Sequence, residues 1–177
     1  GAVSDSVKVA IVGSGPSGLS AAAHAAELGL SYALLGAEPH LSNTIFRYQK
    51  GKHVMAEPGV LPLRSPLKFE AGKREQVLSN WAHGASQLKV KTRMSAPVTA
   101  ITGGKGNFQL TLGIGGGTLR AENVVLAIGL QGNIRKLGVP GEDAPFVQYT
   151  LDDPDEYQDE AIVIVGPADA GIETALA

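Results

Sequence analysis

The first part of the chain alternates short apolar runs with a small-residue segment, in the order of a βαβ unit. The β-branched run Val7–Val12 predicts a strand that is buried on both faces. Pro16–Leu28 is alanine-rich and is followed by Gly29, which predicts a helix, because proline suits the first turn and glycine the position after the end. Ser31–Leu35 predicts a second strand. We therefore expect strand, glycine turn, helix and strand, with a right-handed crossover.

Farther along the chain, the spacing between apolar residues changes twice. Residues 36–69 contain four prolines and predict a long loop region with short turns. Residues 70–87 carry apolar side chains at helical spacing, which predicts an amphipathic helix. From Leu88 the period is two, which predicts an antiparallel meander of short strands. These strands are Leu88–Thr92, Val98–Thr102, Asn107–Leu112 and Thr118–Arg120.

The remaining segments predict two more buried strands with a linker before the last one. Asn123–Ile128 is a continuous apolar run that ends at Gly129. Residues 151–160 are acidic and contain a proline, which predicts a linker whose carboxylates lie in solvent. Ala161–Val165 predicts a strand, and because an unpaired apolar strand promotes association, we expect it to pair with the sheet or with a neighbouring chain.

The chain contains an internal repeat. Residues 7–22 and 161–175 superpose with Gly13 on Gly166 and Gly18 on Gly171. The second copy stops within its helix, whereas a βαβ unit needs about 30 residues or more. We therefore expect a fragment of a longer α/β protein, with one domain over residues 1–150 and a linker plus the incomplete start of a second domain over 151–177.

Composition excludes several classes of function. The formal net charge is -2 and the pI is about 6.1, whereas a nucleic-acid-binding domain is expected to be basic. The chain has no cysteine, which excludes disulfides, a catalytic thiol and a CxxC redox pair within it. No membrane-length apolar run and no signal-peptide pattern are present. We expect a cytoplasmic protein without a nucleic-acid or membrane partner.

The clearest chemical motif is GSGPSG at positions 13–18, between a predicted strand and a predicted helix. This context is typical of dinucleotide binding: Gly13 permits a tight turn, Gly15 lets the backbone approach a pyrophosphate, and Gly18 lets the helix pack on the strand. The helix N-terminus adds unpaired N–H groups and a partial positive charge. The alternative is a glycine turn without a ligand.

The other motifs are weaker. An acidic residue about 20 positions after the motif usually binds the ribose, but Gly36 stands at the end of the second strand. Glu38 follows two residues later, and it either reaches the ribose or is an ordinary surface charge. The second motif, GPADAG at 166–171, has Ala168 in place of the middle glycine.

The chain lacks a P-loop and a G-x-S-x-G motif. Its four histidines show no metal-ligand spacing, so we predict no metal site.

These motifs, in their order, resemble a family. VAIVGSGPSGLSAA, the meander, NVVLAIGLQGNIRKLGVPGED and AIVIVGPADAGIE resemble flavoproteins with two dinucleotide-binding domains, above all the thioredoxin-reductase-like pyridine nucleotide-disulfide oxidoreductases. SNTIFRYQKGKHVMAEPG and FVQYTLDDPDEYQDE look most like the bacillithiol-disulfide-reductase branch. The resemblance implies a three-layer, Rossmann-like FAD/NAD(P)-binding domain with FAD and NAD(P)H as cofactors.

The resemblance also implies roles for single residues. The FAD pyrophosphate would be held by Gly13, Gly15, Pro16, Ser17 and Gly18. The FAD would also be met by the backbone of Val98 and by Ala127, Ile128 and Gly129, where Ile128 replaces the usual threonine. The NAD(P)H site would begin at Gly166, Asp169 and Gly171. Lys50, Lys52 and His53 either lie near the flavin or a phosphate, or belong to a solvated loop.

The activity that the resemblance implies is oxidoreduction. Hydride would pass from the nicotinamide to the flavin, and electrons would pass on to a small-molecule or protein acceptor, in a possible homodimer. No CxxC dithiol of this chain takes part, no side chain is named as catalytic, and this fragment alone is expected to be inactive. Two alternatives stay open: a flavin-dependent monooxygenase and a non-catalytic nucleotide-binding module.

Overall fold

A computed structural model of the protein describes residues 5–56, 62–113, 115–130, 132 and 134–176. Its strands are β1 (Ser6–Val12), β2 (Tyr32–Leu35), β3 (His53–Val54), β4 (Gly72–Lys73), β5 (Thr92–Arg93), β6 (Val98–Gly104), β7 (Asn107–Leu112) and β8 (Thr118–Leu126). Its helices are α1 (Pro16–Glu27), α2 (Asn43–Phe46), α3 (Arg74–Gln87) and α4 (Asp169–Leu176), with a 3-10 turn at Pro154–Glu156.

Six of these strands form one sheet in the order β5-β2-β1-β8-β7-β6. The four neighbouring strands β5, β2, β1 and β8 are mutually parallel, and β8, β7 and β6 form an antiparallel meander. At the carboxyl end of β1, Val12 lies opposite Leu35 on one side and Leu126 on the other. The sheet therefore joins the predicted βαβ unit and the predicted meander, and the α/β prediction is confirmed.

Each face of the parallel strands has its own apolar core. On one face, Ile11 and Leu34 pack with Leu19 of α1 and Trp81 of α3. On the other face, Ala10 and Leu35 pack with the buried leucines of β7 and β8. Because apolar side chains point to both faces, the runs are continuous rather than alternating. The result is three layers: helices, parallel sheet and meander.

Several element boundaries differ from the prediction. Leu88–Lys91 follows the end of α3 and does not form a strand, since the N–H groups of Leu88 and Val90 donate to carbonyls of the last turn of that helix. Only Thr92–Arg93 pairs, and it runs parallel to β2. The strands predicted at Thr118–Arg120 and Asn123–Ile128 are one strand, β8. α3 begins at Arg74 because Gly72–Lys73 pairs with β3.

The loop region also differs. Within residues 36–69 the structure contains α2 and β3, and residues 57–61 lie outside the described residues. No helix in the described ranges is both long and apolar enough to cross a membrane.

The strand predicted at Ala161–Val165 is wrong. Within the described part of the chain, this segment is exposed and pairs with no strand, and Val163 is 87% exposed. A single apolar run cannot form the hydrogen bonds of a sheet without a partner strand. The apolar sequence therefore favours a strand, but the described residues provide no partner strand for it.

Candidate functional site

The first glycine turn connects β1 to α1 at the carboxyl edge of the parallel sheet. Gly13 has φ +105°, a conformation that residues with a Cβ rarely adopt, and its N–H donates to the carbonyl of Leu35 at 2.8 Å. A Cβ on Gly13 would also overlap the carbonyl oxygen of Ala127. Glycine is therefore required at this position by both its backbone angle and its neighbours.

Gly18 sets the distance between α1 and the turn. A Cβ on Gly18 would overlap the carbonyl oxygen of Gly13, and it would also meet the Ala127 side chain at 3.4 Å. The N–H of Leu19 donates to the carbonyl of Gly15 at 2.9 Å, which closes the first helical turn. The start of α1 is thus held directly against the end of the central strand.

Gly15 faces open space. Its φ is −69°, which any residue can adopt, and a Cβ placed on it would meet nothing within 4 Å. The N-terminus of α1 has no side-chain cap and no acidic residue in its first turn, so the partial positive charge of the helix end is not neutralised. An open approach next to an uncapped helix N-terminus is the environment that a phosphate requires, and the residues of the turn fit a pyrophosphate.

Ser42, the residue before α2, supports this turn. Its N–H donates to the carbonyl of Ser14 at 2.7 Å, and its φ is +54°. The Ser42 hydroxyl is buried and has no hydrogen-bond partner among the described residues. No sequence motif marks this residue, because a serine in a loop carries no pattern that would reveal its contact with the glycine turn.

The end of β2, where a ribose-binding carboxylate is usually found, is filled by other side chains. A Cβ on Gly36 would meet Met94 Cε at 2.5 Å and Ser14 Oγ at 2.6 Å. Glu38 is exposed in the loop that follows, and its carbonyl accepts a hydrogen bond from Ser95 N–H at 3.1 Å. The two alternatives for Glu38 therefore stay open, and a side chain at position 36 would require the Met94 and Ser14 side chains to shift.

The residues predicted to meet FAD from the meander and from the end of β8 lie near the same edge. The Ala127 N–H donates to the carbonyl of Val12 at 2.8 Å, and Ile128 and Gly129 follow it as exposed residues. Val98 begins β6 two residues after Ala96, whose N–H donates to the carbonyl of Gly36 at 2.8 Å. The predicted pyrophosphate residues and Ala127 are thus in contact, and Val98 follows a segment fixed to the end of β2.

The second glycine turn repeats the geometry of the first. Gly166 has φ +115°, and a Cβ on Gly171 would overlap the carbonyl oxygen of Gly166. The Ile172 N–H donates to the carbonyl of Ala168 at 3.1 Å, as Leu19 N–H does to Gly15. Asp169 is the first residue of α4. Within the described residues, the second turn is exposed and α4 buries no side chain.

The two lysines of the loop that connects α2 to β3 form ion pairs with carboxylates near the end of the chain. Lys50 Nζ donates to Asp153 Oδ2 at 3.1 Å and to Asp155 Oδ2 at 3.2 Å, and Lys52 Nζ lies 2.7 Å from Glu173 Oε2. His53 is exposed and pairs through its backbone with Lys73. Of the carboxylates expected to lie in solvent, Asp155 is exposed and Asp153 is half-buried, and both pair with Lys50.

A second feature that no sequence motif marks is the loop around Glu142. This carboxylate accepts hydrogen bonds from the N–H groups of Leu137 and Gly138, both at 2.6 Å, and from the hydroxyl of Tyr149 at 2.7 Å. The Tyr149 hydroxyl and these N–H groups hold the pKa of Glu142 below its usual value. The same hydrogen bond raises the pKa of Tyr149 to about 12.

Two surface clefts lie away from the glycine turns. One, of about 480 Å³, is lined by Asp5, Ser6, Arg93, Gly116, Gly117, Thr118 and Arg120. The other, of about 310 Å³, lies between Arg47 and residues 147–157. Among the described residues, neither cleft is lined by GSGPSG or by the N-terminus of an α-helix. We therefore place the candidate site at the first glycine turn, where a helix end and an open glycine suit a phosphate.

The fold and the turn define a Rossmann-like, dinucleotide-binding domain. The chain belongs to the pyridine nucleotide-disulphide oxidoreductase family, whose family model matches residues 10–177. A ferredoxin–NADP reductase from Ignicoccus hospitalis is 30% identical over 166 residues, which cover 93% of this chain. The resemblance seen in the sequence motifs is thereby confirmed.

Solved structures share the fold. The bacillithiol disulfide reductase Bdr (YpdA) from Staphylococcus aureus superposes with a TM-score of 0.80 at 22% identity, over 97% of this chain and 53% of that one. A flavin-containing monooxygenase from Stenotrophomonas maltophilia has a TM-score of 0.61 at 22% identity, over 75% of this chain and 41% of that one. The chain spans about half the length of the ferredoxin–NADP reductase and of the disulfide reductase.

Proposed function

We propose that this chain is the FAD-binding part of an NAD(P)H-dependent flavoprotein oxidoreductase. The observation that carries the proposal is the geometry of the first glycine turn: Gly15 opens onto free space beside the uncapped, positively charged end of α1. Family membership supports the same conclusion, because the family consists of pyridine nucleotide-disulphide oxidoreductases. The nucleotide domain would comprise residues 1–150, and residues 151–177 would begin a second one.

The chain's own residues bind and orient the cofactor. The backbone of the first turn would hold the pyrophosphate, with residues Gly13, Gly15, Pro16, Ser17 and Gly18. Val98 and the segment Ala127–Gly129 would border the rest of the FAD, and Glu38 is the carboxylate available for the ribose. A bound FAD supplies hydride and electron transfer, while the protein orients it and tunes its electronics.

The second turn would begin the nicotinamide nucleotide site. Gly166 and Gly171 reproduce the contact between Gly13 and Gly18, so the same backbone geometry is available for a second pyrophosphate. Asp169 occupies the first position of α4. Electrons would pass to a small-molecule or protein acceptor, and because the chain contains no cysteine, they would not pass through a thiol of these 177 residues.

The experiment that tests the proposal is the Gly15→Asp substitution. Gly15 adopts an ordinary φ and has open space around it, so the variant should fold normally. An added carboxylate at the helix N-terminus would repel the pyrophosphate and occupy its place. We expect the visible flavin absorbance of the purified protein to be lost, and FAD affinity measured by flavin-fluorescence titration to fall by at least about tenfold, the effect of about 1.4 kcal/mol.

Gly104→Asp is the matched control. A Cβ on Gly104 would also meet nothing within 4 Å, and this glycine has no positive φ, but it lies at the far end of β6. This variant should keep the flavin absorbance of the wild type. The proposal fails if the wild-type protein binds no FAD, or if Gly15→Asp binds FAD as tightly as Gly104→Asp does.

A further inference from the structure

The loop of residues 47–53, here called the cationic loop, is fixed to α3. The Arg74 N–H donates to the carbonyl of Lys52 at 2.8 Å, and the Gly51 N–H donates to Glu75 Oε1 at 3.1 Å. The Arg74 guanidinium also donates to the carbonyl of Phe46, at the end of α2. The loop therefore has a defined position on the first nucleotide domain.

From this position the cationic loop contacts residues 152–176, here called the tail. Lys50 makes three contacts with it: its N–H donates to the carbonyl of Asp152 at 2.9 Å, and its ammonium group binds the carboxylates of Asp153 and Asp155. Lys52 reaches Glu173, which lies within α4. The ammonium group of Lys52 also lies 4.7 Å from the centre of the Tyr48 ring, which favours its position.

The described part of the tail has little apolar packing to hold it. Residues 161–170 are exposed, and α4 contains no buried side chain. Burial of apolar surface is the usual source of docking energy between elements. Among the described residues, the contacts that hold the tail are therefore mainly polar. They are the ion pairs with the cationic loop, the Lys50 backbone bond to Asp152, and the hydrogen bond that the Tyr157 hydroxyl donates to Gln148 at 2.8 Å.

We propose that Lys50 and Lys52 form an electrostatic latch that holds the tail, with its second glycine turn, against the first nucleotide domain. Exposed ion pairs are individually weak, and salt screens them. The latch therefore releases as ionic strength rises, and the second turn is free to change its position relative to the first. The two lysines are positioning residues, and they hold the tail whether or not FAD is bound.

The absence of cysteine allows a distance measurement with two introduced labels. Ser79→Cys on α3 and Ala175→Cys on α4 are exposed positions outside the latch, and spin labels on them report the distance between the domain and the tail by double electron–electron resonance. In the otherwise native protein at low salt we expect one narrow distance distribution. In Lys50→Met/Lys52→Met we expect it to broaden, with the population at the native distance falling about two- to five-fold for each lysine lost.

Salt and two further variants complete the test. Raising KCl from about 0.01 M to about 1 M, which shortens the screening length from about 30 Å to about 3 Å, should broaden the distribution of the native protein as the double substitution does. Lys50→Arg/Lys52→Arg should restore the narrow distribution. Lys136→Met, which removes the exposed pair with Asp143 at 2.6 Å outside the latch, should leave it unchanged.

Two outcomes would overturn the latch: a distribution that is the same in Lys50→Met/Lys52→Met as in the native protein, or an equal broadening in Lys136→Met. Flavin absorbance of the same samples keeps this proposal separate from the proposed function. A latch variant that loosens the tail and retains flavin supports both proposals. A native protein that binds no flavin but shows the salt-dependent distance supports the latch alone.

Discussion

Met94 covers Gly36 at the end of β2: a Cβ on the glycine would meet Met94 Cε at 2.5 Å. Gly36→Glu, which would introduce the usual ribose carboxylate, should destabilise the protein by up to about 1 kcal/mol, the lower end of the range for overpacking, because the flexible Met94 side chain and the Ser14 hydroxyl can shift. For a chain of this size, each kcal/mol lowers the Tm by about 2–4 °C. Thermal unfolding followed by circular dichroism measures this effect.

The double variant Gly36→Glu/Met94→Ala is the control for this steric explanation. Removing the Met94 side chain relieves one of the two close contacts and leaves the one with Ser14 Oγ at 2.6 Å, so the double variant should be destabilised by less than the sum of the two single substitutions. Additive losses, or a Gly36→Glu protein as stable as the native one, would show that the contact with Met94 is not what keeps a side chain from this position.

The two helix-start glycines should differ in their importance for stability. In Gly18→Ala, the new methyl group overlaps the carbonyl oxygen of Gly13 and pushes α1, with the fully buried Leu19, away from the sheet. We expect a loss of about 2–4 kcal/mol in the free energy of unfolding. Gly171→Ala creates the same overlap with Gly166, but α4 buries no side chain, so the loss should stay below about 1 kcal/mol. Equal losses in urea unfolding would contradict this difference.

Ser42 combines a left-handed backbone with a buried hydroxyl that has no partner in the described residues. Ser42→Gly removes both costs and should stabilise the flavin-free protein by about 1 kcal/mol. Ser42→Ala removes only the hydroxyl and should stabilise it less. Chemical denaturation of the two variants beside the native protein tests this order, and a destabilised Ser42→Gly would show that the hydroxyl has a partner that compensates its burial.

The Glu142 and Tyr149 pair predicts a loss of stability at each end of the pH scale. The folded pKa of Glu142 is lowered, so its contribution is present above the unfolded pKa, about 4.3, and is lost as pH falls through the folded value. The folded pKa of Tyr149 is raised to about 12, so its contribution is complete below about pH 10 and is lost as pH rises through about 12.

Ultraviolet titration of tyrosinate measures the alkaline part of this prediction. The chain has four tyrosines, and we expect one of them to ionise near pH 12 in the native protein. In Glu142→Gln that ionisation should shift toward lower pH, because the carboxylate that opposes phenolate formation is gone. Tyr149→Phe should abolish it, and a titration unchanged by Tyr149→Phe would assign the high pKa to another tyrosine.

The sequence pattern predicts those helices and strands whose formation depends on residues within a few positions of them. β1, α1 and β2 follow from apolar runs, a proline and a glycine, each within a few positions of the element it defines. β5 could not be predicted as a parallel partner of β2, because its two residues acquire their role from a strand distant in sequence. The run at 161–165 shows the opposite case, since β-propensity without a neighbouring strand does not form a sheet.

The candidate site likewise has a part that the sequence predicts and a part that it does not. The glycine turn is visible in the sequence because GSGPSG carries its own geometry. The contacts of Ser42 with Ser14, of Met94 with Gly36, and of Lys50 with residues more than 100 positions away depend on the three-dimensional arrangement alone. Ordinary serine, methionine and lysine side chains in loops carry no periodicity from which such contacts could be inferred.

The close match between the two turns has a consequence for how such sites are recognised. GSGPSG and GPADAG share only their first and last glycines, yet both have a left-handed first residue and the same overlap between a Cβ on the last glycine and the carbonyl of the first. The packing of the helix start against the turn thus requires glycine at two positions five residues apart. The middle position of the motif, Gly15 in one turn and Ala168 in the other, is free to vary with the ligand. A search that demands three glycines would find one of these turns and overlook its twin.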